Sequence, residues 1–289
     1  MEKCNLCGRK CFIDRTTQIG YCSSSNDIKI AKIMIHNWEE PVISGTNGSG
    51  AIFFSNCNLK CVFCQNYQIS HEGKGKYFTI QKLAKEFELL EKQGVHNINL
   101  VTPTHYTDQI IAALDIYKPN IPIIWNTNGY ETVETINKLK NYVDIFLFDL
   151  KYVSPEISQK YSAAYNYFEV ASQAILEARK NLPNDIFDNN IMQKGIIIRH
   201  LVLPNNTNDS INVLKWIKQN LPTTLVSIMS QYIPQYKALD MPEINRKITK
   251  LEYKRIIYMC NELKLNGFMQ DLSSADCIYI PDFDSQIKD

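Results

Sequence analysis

The sequence contains no run of 18 apolar residues, so nothing in it reads as a membrane span. It has no surplus of either charge. Its 31 basic and 30 acidic side chains leave a formal net charge of +1, which argues against a polyanion-binding surface and makes a nucleic-acid partner unexpected. Met1-Glu2-Lys3-Cys4 runs straight into a cysteine motif and lacks the apolar stretch of a signal peptide. No internal repeat, low-complexity tract or linker is visible. What remains is an ordinary globular mixture, 45% hydrophobic and 21% charged over 289 residues, with material for one large core. Length alone would allow two domains, but α/β barrels of this size are commonly one.

Cysteine is what the sequence has in excess. Seven of nine fall in the first 64 residues. Clustering at such short spacing favours metal over disulfides, in a reducing, anaerobic cytoplasm. Cys57, Cys61 and Cys64 follow the apolar run Ala51-Ile52-Phe53-Phe54, spaced C-x3-C-x2-C. That run reads as a buried strand, and a loop on its end can turn three thiolates toward one point. A structural zinc site wants four ligands, as do most iron–sulfur clusters. Three cysteines on a cubane would leave one iron open to a small molecule. The alternatives are a zinc knuckle or free thiols.

This arrangement resembles the radical S-adenosylmethionine (SAM) superfamily. There, three cysteines hold a [4Fe-4S] cluster and SAM chelates the fourth iron. The resemblance extends through Gly48-Ser49-Gly50 before the cysteines and Gln65-Asn66-Tyr67-Gln68-Ile69-Ser70 after them. It continues in Asn97 to Tyr106, in Asp149-Leu150-Lys151-Tyr152 and in Arg199 to Pro204, and together these resemble the pyruvate formate-lyase activating enzyme branch.

The N-terminus carries a second set, Cys4, Cys7, Cys11 and Cys22. Four thiolates can close a zinc site or hold a second iron–sulfur cluster, and the spacing does not choose between them. So short and polar a segment needs a staple to fold. Residues 1–26 are therefore expected to form a metal-binding knuckle, with a barrel domain over 27–289. Four reduced structural thiols are the alternative.

Between the cysteines, the alternating run from Ile28 to Ile33 suggests a strand. The glycines at 45, 48 and 50 suggest a loop packed beside the cluster. After Cys64, strands (96–101, 121–125, 143–148, 195–202, 224–229) alternate with helices (80–94, 108–117, 131–141, 168–181, 209–220, 250–265). With the strand before Cys57, six parallel strands with right-handed crossovers follow. The resemblance implies that they form a partial (β/α)6 barrel.

In such barrels the polar residues at the C-terminal strand ends face the site. The second strand ends in Thr102-Pro103-Thr104. The glycine-rich acidic motif that relatives carry here for SAM is missing, and Thr102 and Thr104 are positional candidates for SAM or helix caps. The third ends in Asn126-Thr127-Asn128-Gly129, which matches the activating-enzyme pattern apart from Asn126, an aspartate in relatives. These three are assigned to SAM, a simple Asn-Gly turn being the alternative. Asp149 and Lys151 end the fourth strand on one face and read as SAM contacts or as a salt bridge. In Arg199-His200 one residue must face the interior; His200 is favoured for SAM, a core histidine being the other reading. The loop from Gln231 to Lys237 is well placed for substrate. Cys260 reads as a core residue, and Cys277 has no assigned role.

The resemblance implies a reaction. A one-electron donor such as flavodoxin or ferredoxin reduces the cluster, and SAM splits into methionine and a 5′-deoxyadenosyl radical. That radical removes a hydrogen atom, from a glycine of a glycyl-radical enzyme if the branch assignment holds. A peptide, another protein, RNA or a small molecule is the substrate if it does not. A non-catalytic zinc or iron–sulfur module is the rival class; its cluster would need a fourth ligand.

Overall fold

The computed structural model describes residues 3–275 and 281–283; Cys277 lies outside the described residues. The chain opens with β1 (Ile28–His36), the one-turn helix α1 (Pro41–Ser44), β2 (Ser49–Phe54), α2 (Tyr67–Ser70), β3 (Lys76–Phe78) and α3 (Ile80–Lys92). Then follow β4 (Ile98–Val101), α4 (Thr107–Ile116), β5 (Ile123–Thr127), α5 (Val133–Leu139) and β6 (Ile145–Asp149). Helices α6 (Pro155–Ser162) and α7 (Tyr167–Asn181) precede β7 (Ile186–Asp188) and β8 (Ile191–Leu201). The last elements are α8 (Thr207–Asn220), β9 (Leu225–Met229), α9 (Lys250–Glu262) and β10 (Gly267–Met269).

The strands form one open, mostly parallel sheet in the order β10-β9-β8-β6-β5-β4-β2-β1-β3, with β7 paired to β8. The six expected parallel strands are present, and β10 adds a seventh beside β9. At the other edge β1 runs antiparallel to β2, and β3 antiparallel to β1. Sequence reading missed α6, although Ser154 caps it and Pro155 opens it, a usual start signal. It also missed β3, β7 and β10, each three residues long and without room for a periodic pattern.

Strand alternation sorts side chains between two faces. Trp125, Phe146, Phe148, Ile196 and Ile198 join the large core under the helices. Ile124, Ile145, Leu147 and Ile197 point the other way and pack on Ile43 of α1. That turn thus plugs the concave face. Proline at its first position and a glycine with φ of +47° after it fix where it starts and stops. The glycines at 45 and 48 are accordingly at the start of β2, at the opposite end of that strand from Cys57 and not beside the cysteine loop. Cys260 is buried in the core as expected.

The N-terminal segment is fastened to the rest of the chain. Cys7 bridges Glu131, Gly8 donates to the Tyr130 carbonyl at 3.1 Å, and Thr135 donates to the Leu6 carbonyl at 2.8 Å. Arg9 lies over Tyr21 and donates to the Asn58 carbonyl at 2.8 Å, so the segment holds the cysteine loop from outside.

Candidate active site

At the C-terminal ends of the parallel strands lies a cavity of about 810 Å³. Cys57, Cys61 and Cys64 line one part of it. Their loop leaves β2 through Asn56, whose φ of +73° makes the turn. It is pinned by Val62 donating to the Tyr161 carbonyl at 2.9 Å. Each sulfur has a polar neighbour. The Asn128 amide donates to Cys57 Sγ at 3.4 Å, while Ser162 Oγ is 3.0 Å from Cys61 Sγ and Ser70 Oγ 3.2 Å from Cys64 Sγ.

Burial pushes the Cys57 thiol up to about 12, and its like-charged neighbour Cys61 adds to this. Burial and Cys61 push Cys64 to about 11. Burial also raises Cys61, against the pull of Lys151. The thiols are therefore protonated when free, and metal binding must release protons.

Among the described residues, no group of three or more His, Cys, Asp or Glu closes on a point where one metal ion could sit. For Cys57, Cys61 and Cys64 this agrees with a cubane, in which each thiolate ligates its own iron. Three thiols, each with a neutral hydrogen-bonding partner, on the wall of a roomy cavity are a fitting donor set for it. The same finding covers Cys4, Cys7, Cys11 and Cys22. Cys4 feels the charges of Cys11 and Cys22, and Cys7 those of Cys22 and Cys4, so the four lie near one another.

Of the other expected residues, Thr102, Asn126, Thr127, Asn128, Asp149 and Lys151 line the cavity. Thr104 and His200 do not. Thr104 donates to the buried Glu131 carboxylate at 2.5 Å. His200 points under the helices, its Nδ1 2.8 Å from the Leu150 carbonyl oxygen. Its strand neighbour Arg199 faces the cavity instead, sharing a face with Ile197. Asp149, Arg199 and Ser227 are register partners on β6, β8 and β9.

Arg199 organises this wall. It donates to Asp149 at 2.9 Å, Glu39 at 3.2 Å and Asn126 at 2.6 Å. Lys151 donates to the other Asp149 oxygen at 2.8 Å. Burial opposes ionisation of Asp149, but Arg199 and Lys151 outweigh it and hold the carboxyl below its usual range. Glu39 and Glu40 rise from the segment before α1 and were not foreseen as site residues. A Glu-Glu-Pro step ahead of a glycine-bearing loop reads as solvated surface, and nothing local in it signals burial. From the expected substrate loop, Gln231, Tyr232 and Ile233 line the cavity, while Tyr236 stacks on Tyr67 with centroids 5.2 Å apart.

Two buried histidines make stability depend on pH. Burial lowers His200 to about 4, against the Leu150 carbonyl, and His105 to about 3, against the Ser55 carbonyl. Both stay neutral when folded, whereas in the unfolded chain they take up protons below about 6.5. Stability is thus fully present above pH 6.5 and is lost as pH falls toward 4. Each histidine is expected to cost about 2 kcal/mol between pH 7 and pH 5. Urea unfolding at the two pH values checks this; equal midpoints, or no flattening in His200→Gln, would contradict it.

No helix among the described residues is long and apolar enough to cross a membrane. Residues 51–217 match the family model of the radical SAM superfamily. Over 275 residues the chain is 31% identical to the uncharacterized protein MJ0674 of Methanocaldococcus jannaschii, an alignment covering 92% of this chain and 76% of that protein. Its fold is similar to that of Streptococcus suis SuiB bound to S-adenosylmethionine, with a TM-score of 0.50 at 15% identity over 76% of this chain and 46% of that one. A second SuiB crystal structure gives a TM-score of 0.51 at 13% identity, over 76% and 48% of the two chains. The chain spans under half the length of SuiB, and at such identity the likeness is one of fold. A family match across more than half the chain, with three cysteines on the loop after the first parallel strand and a cavity beneath them, leads to one conclusion: this chain belongs to the radical SAM superfamily.

Proposed function

We propose that the chain takes a hydrogen atom from a substrate seated in its cavity, using a [4Fe-4S] cluster at Cys57, Cys61 and Cys64 together with SAM. The observation that carries this reading is that the three thiols and the Asp149–Lys151–Asn128 wall line the same cavity. When bound, the cluster and SAM supply the electron transfer that splits SAM into methionine and a 5′-deoxyadenosyl radical.

The residues of the chain hold and orient. Asn128 keeps Cys57 in place and accepts from the Tyr130 amide at 3.1 Å, which fixes its own rotamer. Ser162 and Ser70 hydrogen-bond the other two sulfurs. Lys151 and Asp149 offer both signs of charge to the amino acid end of SAM, with Thr102, Asn126 and Thr127 beside them. Thr104 and His200 are not proposed as ligand contacts.

The finer reading, activation of a glycyl-radical enzyme with flavodoxin or ferredoxin as electron donor, rests on the resemblance around residues 57–70, 126–130 and 149–152. A second metal at Cys4, Cys7, Cys11 and Cys22 is proposed on the chemistry of four neighbouring thiols. The test is anaerobic reconstitution with iron and sulfide, reduction with dithionite, addition of SAM and quantification of 5′-deoxyadenosine. Product is expected. Its absence despite an intact, reducible cluster and candidate substrates would sink the enzyme reading. A glycyl radical seen by electron paramagnetic resonance in a candidate partner would carry the finer one.

A further inference from the structure

The floor of the cavity has one carboxylate more than its cations satisfy. Glu39, Glu40 and Asp149 stand against Arg199 and Lys151. Asp149 is met on both oxygens, by Arg199 and by Lys151. Glu39 is met by Arg199, by the Asn126 amide at 3.4 Å and by His36 at 4.0 Å. His36 adds no charge, because burial and then Arg199 lower its pKa. Glu40 is left over. It lines the cavity at 8% exposure, and its Oε2 is buried without any hydrogen-bond partner.

The backbone of Glu40 is held where it is. Its backbone carbonyl accepts from Ile43 at 2.8 Å and Ser44 at 3.0 Å, so α1 holds it in place, and α1 is itself wedged on Ile124, Ile145, Leu147 and Ile197. A buried carboxyl oxygen without a partner costs free energy unless a guest supplies one. The cavity has room for a guest. Its volume is near the upper end of the roughly 300–1,000 Å³ of pockets that enclose one drug-sized ligand, before SAM is shared with a second molecule.

Resting on the reading of the chain as a radical SAM enzyme, we propose that this floor is a substrate subsite for a protonated amino or guanidino group, with Glu40 as its anchor. The cation would bond Glu40 Oε2 and balance the surplus carboxylate, and Arg199 would keep Glu39 and Asp149 from competing for it. Burial raises the Glu40 carboxyl to about 7, against the pull of Arg199, so near neutral pH the empty site holds it partly protonated. A cationic guest then displaces that proton to solvent. A free amine and a lysine side chain on a peptide share this chemistry.

The test titrates the cluster-loaded, SAM-bound protein by calorimetry in two buffers of different ionisation enthalpy. The probes are putrescine, agmatine, the tripeptide acetyl-Gly-Lys-Gly-amide and the uncharged isostere 1,4-butanediol. At least one cation is expected to bind about tenfold or more tightly than the diol, with up to about half a proton released at pH 7. Glu40→Gln is expected to lose both the preference and the proton release. Binding of the free amines alone assigns the subsite to a small molecule; binding of the tripeptide alone assigns it to a peptide side chain; either supports the proposal. Equal affinity for cation and diol, no binding of any cation, or unchanged cation binding in Glu40→Gln would overturn it. Loss of SAM binding in a folded Glu40→Gln would place this residue in the cofactor's half and overturn it too. If the variant fails to fold, the wild-type comparison of cation with diol decides. Absence of 5′-deoxyadenosine in the reconstitution assay would instead count against the enzyme reading, and the two failures are separately visible.

Discussion

Cys57→Ala, Cys61→Ala or Cys64→Ala is expected to lower 5′-deoxyadenosine formation by well over 100-fold and to reduce bound iron in parallel. The size follows from the ligand count. In the proposed site three thiolates would hold a cubane whose fourth iron serves SAM, and among the described residues no fourth cysteine lines the cavity; after one loss the cluster would keep two protein ligands. Removing a group that merely orients a ligand costs about 10–100-fold, and a ligand itself must cost more. That comparison supplies an internal control. Ser162→Ala, which removes the hydroxyl 3.0 Å from Cys61 Sγ, is expected to lose about tenfold with most of the iron retained. Iron analysis, the visible absorbance of the cluster and chromatography of the product read all of this. A Cys61→Ala protein that kept full iron and product would move the cluster elsewhere, with the N-terminal cysteines the first place to look.

Arg199→Met is expected to destabilise the fold by about 3–5 kcal/mol, the usual cost of leaving a buried charge without its partner. Methionine keeps much of the volume but leaves Glu39 without a charged partner, with only the Asn126 amide and His36 beside it, and leaves Asp149 to Lys151 alone. Arg199→Lys is not a conservative remedy. One ammonium cannot reproduce a planar fork that donates to Asp149, Glu39 and Asn126 together. Adding Glu39→Gln to Arg199→Met removes the stranded charge and is expected to recover at least about 1 kcal/mol, a coupling that a double-mutant cycle isolates. Urea unfolding midpoints at constant slope measure each step. A loss under about 1 kcal/mol for Arg199→Met, or strict additivity in the double variant, would show that the network is not what holds this wall.

Much of the site was legible because its residues are defined by local geometry. Cys57, Cys61 and Cys64 share one loop, and a loop on a strand end needs only its own spacing to bring them together. Asp149 and Lys151 are two apart on a strand and so share a face. Thr102 and Asn126 to Asn128 sit where the C-terminal ends of β4 and β5 had to be, and both strands follow from apolar runs.

What the sequence determined by itself, then, is the alternation of strand and helix, the three-thiol loop and the side chains two apart on its strands. These depend on the chain's local periods. Tertiary structure decided two other things. The first is which of Arg199 and His200 turns inward. Alternation sends them to opposite faces, but β8 is apolar on both, with Ile196 and Ile198 under the helices and Ile197 on the inner plug, so the pattern carries no sign. The second is the partnership of Asp149 with an arginine 50 residues later, and of that arginine with Glu39, 160 residues before it. Such pairs are set by strand order in the sheet and by the fold of α1 back across its concave face. No local period in the chain encodes either, because charge pairing acts through space, and only the packed sheet fixes the distances over which it acts.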